Sequence, residues 1–440
     1  MSLYYQRYVD ESGFRIKTVK ARRVLDSRGN PTLSVKIITE AGGVGIAYAP
    51  SGASKGKFEA IEVRDGGSRF HGRDVSKAIE NVERIIAPSI VGLDSRKQRL
   101  IDEKIIMIDG TGNKSRLGSN ATVATSLAVA KAAASTYGLP LYAYLGGTVS
   151  NTLPVPMLNV INGGVHAGNK LDFQEYMIVP AGFDNFSEAL RASVEVYHVL
   201  KNILKDRYGA SAINVGDEGG FAPPIDNNLE PLNILVEAIS KAGYSPGGDI
   251  ALALDVASTQ LYDVEKKAYR FENSYLTRED MIELYLRIVD QYPIVSIEDP
   301  LHEDDFEGFA ILTRELGSRV LIVGDDLFVT NPSRLLKGME KGSGNAILVK
   351  VNQIGTLTET IDVVKLAKIN GFRAIISHRS GETEDSTIAD IAVGLETGLI
   401  KTGAPARGER TAKYNRLLEI EDELEKPRYP GFGVFPKKPS

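Results

Sequence analysis

Six strand-like runs in the second half of the chain each end in a charged or protic side chain. The residues at these ends are Asp255, Glu298, Asp325, Lys350, His378 and Lys401. They are separated by 43, 27, 25, 28 and 23 residues, so each interval after the first has the length of about one strand and helix unit. In a parallel barrel all strands open their carboxyl ends on one face, which carries the chemistry. We therefore expect the six side chains to meet at one barrel mouth.

Three of the six are carboxylates, and their chemistry predicts a metal site. Asp255, Glu298 and Asp325 offer hard oxygen ligands, and the chain contains no cysteine. Without a thiol or a nearby histidine cluster, such ligands suit Mg²⁺ and argue against zinc. A charged residue at a strand end is usually solvated, and the adjacent Asp299 and Asp326 could serve as helix N-caps. Six such residues in register nevertheless favour a site.

Other stretches add reactive groups. The run AIISHRSGETED places Arg379 and Ser380 directly after His378, at the end of a run that indicates a buried strand. The segments GDEGG, FQEYMIVP and GGVHAGN contribute Glu218, Glu175 and His166, although GDEGG alone would suggest only a turn. The segment PSGASKG, which contains Ser54, fits either an ordinary loop or an active-site lid.

Two kinds of feature are interpreted as lying outside the site. The segment GTGNKSRLG resembles a phosphate loop superficially, but it lacks the Gly-Lys-Ser/Thr order and follows no clear strand. His71, His198 and His302 are interpreted as structural or surface residues. Neither feature changes the expected location of the chemistry.

The elements that must position these groups fall into two parts. Residues 16–48 show three strand-like runs split by the turn segments DSRGN and EAGG, and helical periodicity follows. This order predicts an antiparallel meander in a small α+β domain covering residues 1–145. From residue 146 to residue 440, short Val, Ile and Leu runs alternate with helical stretches, such as the one that Gly371 closes. That rhythm predicts a parallel sheet closed into a barrel.

Composition limits the classes of partner. The chain has 440 residues, a net charge of −5 and dispersed basic residues, which argue against nucleic acid and favour a small molecule. The N-terminal segment has no apolar core of a secretory signal, and no apolar run reaches the ~20 residues of a membrane span. The absence of cysteine fits a reducing compartment. We expect a soluble, cytoplasmic protein.

Taken together, the motifs resemble the enolase family. DSRGNPT, PSGAS, GGVHAGN, VGDEGGFAP, LDVAS, IEDP, VGDDLFVTNP, KVNQIGTLTET, SHRSGETED and IKTGAPARGER occur in the order typical of that family, from about residue 15 to about residue 425. The resemblance implies an α/β fold, an enolase-type eightfold β/α barrel (TIM-like) with a smaller N-terminal α+β domain, in which the first barrel units are irregular. The implied reaction is the reversible dehydration of 2-phospho-D-glycerate to phosphoenolpyruvate.

The resemblance also implies roles for the residues at the mouth. Lys350 matches the base and Glu218 the general acid, with Glu175 as a coupled second carboxyl group. Asp255, Glu298 and Asp325 match the ligands of a first Mg²⁺, and Ser54 matches a residue that helps to hold a second. The substrate-binding residues would be His166, Glu175, Lys350, His378, Arg379, Ser380 and Lys401. A Lys base with one or two Mg²⁺ ions is the general pattern of this superfamily.

The remaining implications concern assembly and alternatives. Relatives form homodimers or octamers, but Ser34, Lys36 and Glu419 depart from the usual charges near the dimer contact, and Lys55 replaces a usual threonine in the lid. Two other functions remain open at this point. The chain could be another acid dehydratase or racemase of the superfamily, although such enzymes need no phosphate clamp like Arg379. It could also have an additional binding role, such as that of a surface receptor.

Overall fold

The computed structural model describes residues 11–52, 56–164 and 167–439. The first part opens with an antiparallel three-stranded meander of β1 (Ile16–Leu25), β2 (Pro31–Thr39) and β3 (Val44–Tyr48). The turn between β1 and β2 forms because the Asp26 carboxylate accepts hydrogen bonds from the backbone N–H groups of Arg28 and Asn30, at 2.9 and 2.8 Å. The meander predicted from the sequence is confirmed.

Helices follow this sheet in the first part of the chain. They are α1 (Ser76–Asn81), α2 (Ala87–Ile90), α3 (Gln98–Asp109), α4 (Ser119–Tyr137) and α5 (Leu141–Gly146), with a π-helical turn at Val82–Ile86 between the first two. The Ala-rich helix α4 is almost entirely buried and packs against β2 and β3. Its backbone approaches Gly45 so closely that an added Cβ would lie 2.0 Å from the Ala128 carbonyl oxygen. Small residues on both surfaces permit this contact.

The second part is a closed barrel of eight strands. In chain order the barrel strands are β4 (Val155–Asn162), β5 (Glu175–Val179), β6 (Ala251–Asp255), β10 (Ile294–Glu298), β11 (Leu321–Gly324), β12 (Ala346–Val349), β13 (Arg373–Ser377) and β14 (Leu399–Lys401). A small antiparallel sheet of β7 (Tyr262–Asp263), β8 (Ala268–Phe271) and β9 (Ser274–Leu276) lies between β6 and β10 in the chain. Strand β5 pairs antiparallel with both neighbours, and the other barrel pairs are parallel. The fold class, including the irregular first units, is therefore as expected.

Helices alternate with the barrel strands. They are α6 (Phe186–Tyr208), α7 (Glu230–Lys241), α8 (Arg278–Gln291), α9 (Phe306–Leu316), α10 (Pro332–Lys341), α11 (Val351–Ile354), α12 (Leu357–Ile369), α13 (Thr387–Gly394) and α14 (Gly408–Glu423). Local signals explain several of their ends: Thr277 and Asp280 form a capping box at α8, and Gly371 adopts a positive φ just beyond α12. None of the helices in the described ranges combines the length and the apolar character that a membrane span requires.

The two parts meet through buried polar contacts at the start of α12. The Asp102 carboxylate on α3 accepts a hydrogen bond of 3.0 Å from the Thr358 backbone N–H. Lys114 forms a 2.9 Å ion pair with Glu359, whereas the pair between Arg99 and Asp362 is more exposed. These contacts join the first part to helix α12 of the barrel.

Candidate active site

The barrel brings the six predicted strand-end residues to one mouth. Asp255, Glu298 and Lys401 are the last residues of β6, β10 and β14, while Asp325, Lys350 and His378 directly follow β11, β12 and β13. A small cavity opens there. Its lining residues are Gly52, Gln174, Glu175, Glu218, Asp255, Asp325, Lys350, Ser377, His378, Arg379, Ser380 and Lys401. Residues distant in sequence therefore line one small polar space.

Lys401 is the centre of a buried charge cluster. Its Nζ lies 2.8 Å from Glu298 Oε2, 2.9 Å from Asp255 Oδ2 and 3.2 Å from Glu175 Oε2. Burial alone would lower the pKa of Lys401, but the surrounding carboxylates, Asp255 first, raise it well above its ordinary value. Burial, followed by the charge of Glu218, raises the pKa of Glu175. Lys401 is thus held as a cation, whereas Glu175 tends to keep a proton.

Lys350 faces the third predicted metal ligand. Its Nζ donates a hydrogen bond to Asp325 Oδ2, and Asp325 Oδ1 accepts a 3.0 Å bond from Gln353 Nε2. Gln353 is fixed in turn by the Thr330 hydroxyl, which donates to its Oε1 at 2.7 Å. Burial lowers the pKa of Lys350, but the Asp325 charge outweighs it and holds the pKa above its ordinary value in the chain alone.

The carboxylates at the mouth fit a divalent cation. Five buried acids lie around the ammonium groups of Lys401, which is buried, and Lys350, which is partly buried; the acids are Glu175, Glu218, Asp255, Glu298 and Asp325. Glu298 Oε1 is buried and makes no hydrogen bond within the part of the chain that the structure describes. An orphaned buried carboxylate oxygen is costly unless a cation or proton satisfies it. This donor set fits the metal cofactor that the sequence predicts.

Asp299 and Asp326 have a different role from the helix capping suggested by their positions. Asp299 accepts hydrogen bonds from the backbone N–H groups of Asp325 and Asp326, at 2.9 and 2.8 Å, and so fixes the turn that carries Asp325. Helices α9 and α10 are capped by Asp305 and Asn331 instead. The capping interpretation was therefore wrong, because both aspartates lie in strand-end turns, before the helices begin.

Glu218 and His378 form a second pair on the cavity wall. His378 Nε2 lies 3.3 Å from Glu218 Oε2, and the same oxygen accepts a 3.0 Å hydrogen bond from Asn159 Nδ2. Burial lowers the pKa of His378 to about 4, despite the opposing charge of Glu218. The imidazole is therefore neutral near pH 7.

Arg379 presents a buried guanidinium beside this pair. Its Nη1 donates to Glu59 Oε2 at 2.9 Å and to Asn352 Oδ1 at 3.0 Å, and its Nη2 donates to Glu59 Oε1 at 3.2 Å. Ser380 lies next to it on the cavity wall. Ser51 and Gly381 exchange two backbone hydrogen bonds of 2.8 Å, so the segment that leads into the predicted lid starts at this wall.

The other predicted residues divide into two groups. Ser54 and His166 lie outside the described residues. His71 and His198 are exposed, and the half-buried His302 packs its ring on Tyr262 with centroids 4.7 Å apart. Among the described residues the cavity lining contains none of these three histidines, in agreement with their interpretation as structural or surface residues.

Several residues that position the site were not predicted individually. Gln174 donates a hydrogen bond to Asp255 at 3.2 Å, and Gln353 donates to Asp325. Asn159 orients Glu218. Glu59 orients Arg379, and Arg410 orients His378. Gln353 and Arg410 lie inside the motifs KVNQIGTLTET and IKTGAPARGER, so motif membership was an available signal. Asn159 sits inside a strand, where only its burial in the folded barrel distinguishes it.

Comparison with known proteins assigns both parts of the chain to one family. Residues 16–145 match the family described as "Enolase, N-terminal domain", and residues 150–436 match "Enolase, C-terminal TIM barrel domain". The chain is 61% identical to the enolase of Methanopyrus kandleri over 410 residues, 93% of this chain and 96% of that protein. It is 58% identical to the enolase of Thermococcus kodakarensis over 428 residues, 97% of this chain and 98% of that protein.

Proposed function

This chain belongs to the enolase family, and we propose that the barrel mouth around Lys401 is its active site. The protein is a carbon–oxygen lyase that interconverts 2-phospho-D-glycerate and phosphoenolpyruvate, a step of glycolysis and gluconeogenesis. Its substrate is a phosphorylated three-carbon acid. The observation that carries the site assignment is the convergence of Lys350, Lys401 and Arg379 with buried carboxylates on one cavity.

We propose that two Mg²⁺ ions are the cofactors. Asp255, Glu298 and Asp325 would hold the first, and Ser54 would help to hold the second. The supporting observations are the hard oxygen donors and the orphaned Glu298 Oε1. When bound, the cations offset the negative charge that builds up on the substrate carboxylate and compete with Lys350 for Asp325, which favours the neutral amine.

Lys350 is the base in this proposal. The proton to be removed is on the carbon next to the substrate carboxylate, and the amine Nζ of Lys350 would accept it. Lys350 lies on the cavity wall, where burial favours the neutral amine once the charge of Asp325 is compensated. Lys401, held as a cation, would bind the substrate carboxylate and stabilise the enolate-type intermediate.

Glu218 is the general acid that protonates the leaving hydroxyl group. Glu175 supports it as a second carboxyl group in a coupled system, since the two charges oppose each other and burial raises the pKa of Glu175. His378 would donate a hydrogen bond beside Glu218, and His166 would close over the substrate from its loop. Proton removal and hydroxyl loss thus use different side chains.

Arg379 and Ser380 form the proposed phosphate clamp. A guanidinium offers paired donors that match phosphate oxygens, and its orientation here is fixed by Glu59 and Asn352. The clamp also separates this reaction from that of other superfamily dehydratases and racemases. Full-length relatives named enolase do not favour those alternatives, and none of the described features favours an additional receptor role.

The test is ultraviolet absorbance of the purified protein mixed with 2-phosphoglycerate, first with Mg²⁺ and then with excess chelator. The expected result is growth of the phosphoenolpyruvate signal that chelator stops and that renewed Mg²⁺ restores. Matched reactions with Mn²⁺ and Ca²⁺ would examine the choice of metal. Absence of signal from folded protein at every metal concentration would contradict the assignment of the site.

Assembly and location complete the proposal. We propose a cytoplasmic homodimer or octamer with domains at residues 1–145 and 146–440. The two family matches, which stop at residue 145 and resume at residue 150, support that boundary. Light scattering coupled to size-exclusion chromatography would give the oligomer size. A mass equal to one chain at micromolar concentration would contradict the proposed homodimer or octamer.

A further inference from the structure

Arg410 on α14 reaches the underside of the active-site wall. Its side chain is completely buried. Nη1 lies 2.6 Å from His378 Nδ1 and donates to the Arg379 carbonyl oxygen at 2.6 Å, while Nη2 donates to the carbonyl oxygens of Ser380 and Asp217, at 2.6 and 3.0 Å. One guanidinium therefore contacts the backbone of the phosphate clamp, the loop that carries Glu218 and the His378 ring.

The contact with His378 determines which ring nitrogen carries the proton. A guanidinium has only donors, so the His378 Nδ1 that faces Arg410 must be the acceptor. In a neutral imidazole the proton then resides on Nε2. His378 Nε2 is buried, borders the cavity and makes no hydrogen bond within the described part of the chain. The neutral ring thus has one N–H group, which is available to a molecule bound in the cavity.

We propose that Arg410 is a positioning residue that holds His378 as the Nε2–H tautomer and directs this N–H beside Glu218 toward the substrate. The inference rests on the proposed function of the site. It extends that function by assigning the chemical state of His378 and the residue that imposes it. Arg410 acts through His378 and borders no part of the cavity itself.

Burial and the charge of Arg410 outweigh two nearby carboxylates and keep the ring neutral. Glu218, on the loop before α7, and Glu382, on the histidine's own loop, would favour the imidazolium, whereas the permanent cation of Arg410 opposes it. Together with burial, Arg410 keeps the pKa of His378 low. A neutral imidazole can donate a hydrogen bond to a leaving oxygen without adding a positive charge that would favour the ionised form of Glu218.

The Nε2 side of the His378 ring lies close to Glu218. Asn159 Nδ2 donates to Glu218 Oε2 at 3.0 Å, and His378 Nε2–H lies 3.3 Å from the same oxygen. Neutral His378 therefore faces Glu218 with its N–H rather than with a ring lone pair.

The experiment compares Arg410→Met with Arg410→Lys and with Lys413→Met in the full-length protein. Lys413 is the matched control: it is a second fully buried cation on α14, but it bonds Glu382 and the Thr383 carbonyl oxygen and does not contact His378. The readout is the imidazole ¹⁵N spectrum of substrate-free protein with labelled histidine. Only five histidines contribute signals, and His378→Gln identifies the relevant one.

The expected wild-type signal is an acceptor-type Nδ1 with a protonated Nε2, and Lys413→Met should retain it. Arg410→Met should give mixed tautomers of His378. It should also move the acid limb of the kcat profile upward by about one pH unit, because the pKa of His378 rises when the positive charge of Arg410 is lost. Arg410→Lys, which keeps the cation and a donor, should lie between wild type and Arg410→Met in both measurements.

Two results would overturn the inference. One is an Nδ1–H tautomer in the wild-type protein, and the other is an unchanged tautomer and acid limb in folded Arg410→Met. Because the spectrum is recorded without substrate, failure of the proposed reaction would appear separately, as wild-type protein with the expected tautomer and no conversion of 2-phosphoglycerate.

Discussion

The burial of His378 links the stability of this protein to pH in a way that can be isolated. The pKa of His378 falls from an ordinary value of 6.5 to about 4 on folding, chiefly because the ring is removed from water. Below pH 6.5 the unfolded chain binds a proton at this position and the folded chain does not. The contribution of neutral His378 to stability is therefore fully present above pH 6.5 and is lost as pH falls toward 4.

The size of the effect follows from the shift. The difference between 6.5 and about 4 corresponds to about 3 kcal/mol in total, of which about 2 kcal/mol is lost by pH 5. Replacement by glutamine removes the titration. We therefore expect the unfolding free energy of the wild-type protein to fall by about 2 kcal/mol more than that of His378→Gln between pH 7 and pH 5.

The assay is denaturant unfolding of both proteins at the two pH values in the presence of chelator, with refolding checked at each. Only the change with pH is compared, so a constant loss of packing in the variant cancels. His198→Gln serves as the control, because His198 is exposed on α6 and its ring is hydrated in both states. Equal pH dependence in wild type and His378→Gln would refute the reasoning, as would a His378 ring that titrates near pH 6.5 in the folded protein.

Three further predictions concern the reaction and the metal. Lys350→Ala should abolish exchange of the substrate α-proton with solvent, whereas Glu218→Gln should retain exchange and block hydroxyl loss. If both variants still exchanged the proton, the base and acid assignments would both be wrong. Arg379→Lys should raise KM for 2-phosphoglycerate about tenfold or more, because paired donors to phosphate are lost; an unchanged KM would argue against the clamp. Lys401→Met should destabilise the metal-free protein by about 3–5 kcal/mol, because Asp255 and its neighbours lose their buried cation; denaturant titration should show that Mg²⁺ restores part of this loss, and no destabilisation in chelator would contradict the charge cluster.

The sequence by itself determined the main features of this protein. Strand-like runs split by turn segments predicted the meander of β1 to β3. The repeated alternation of strand-like and helical stretches predicted the barrel. Because a parallel barrel opens the carboxyl end of every strand on one face, the sequence alone placed Asp255, Lys350 and Lys401 at a common mouth. Local rules suffice where the physics is local, as in periodicity, capping and turns.

Tertiary structure decided which groups contact one another and in what state. Asn159 reads as an ordinary strand residue and Arg410 stands out only by its motif, and only folding places them on Glu218 and His378. Asp299 read as a helix cap, yet it fixes the turn at Asp325. Hydrogen-bond partners, burial and pKa depend on distances between residues far apart in the chain. Those distances are set by packing of the whole barrel, and no local pattern encodes them.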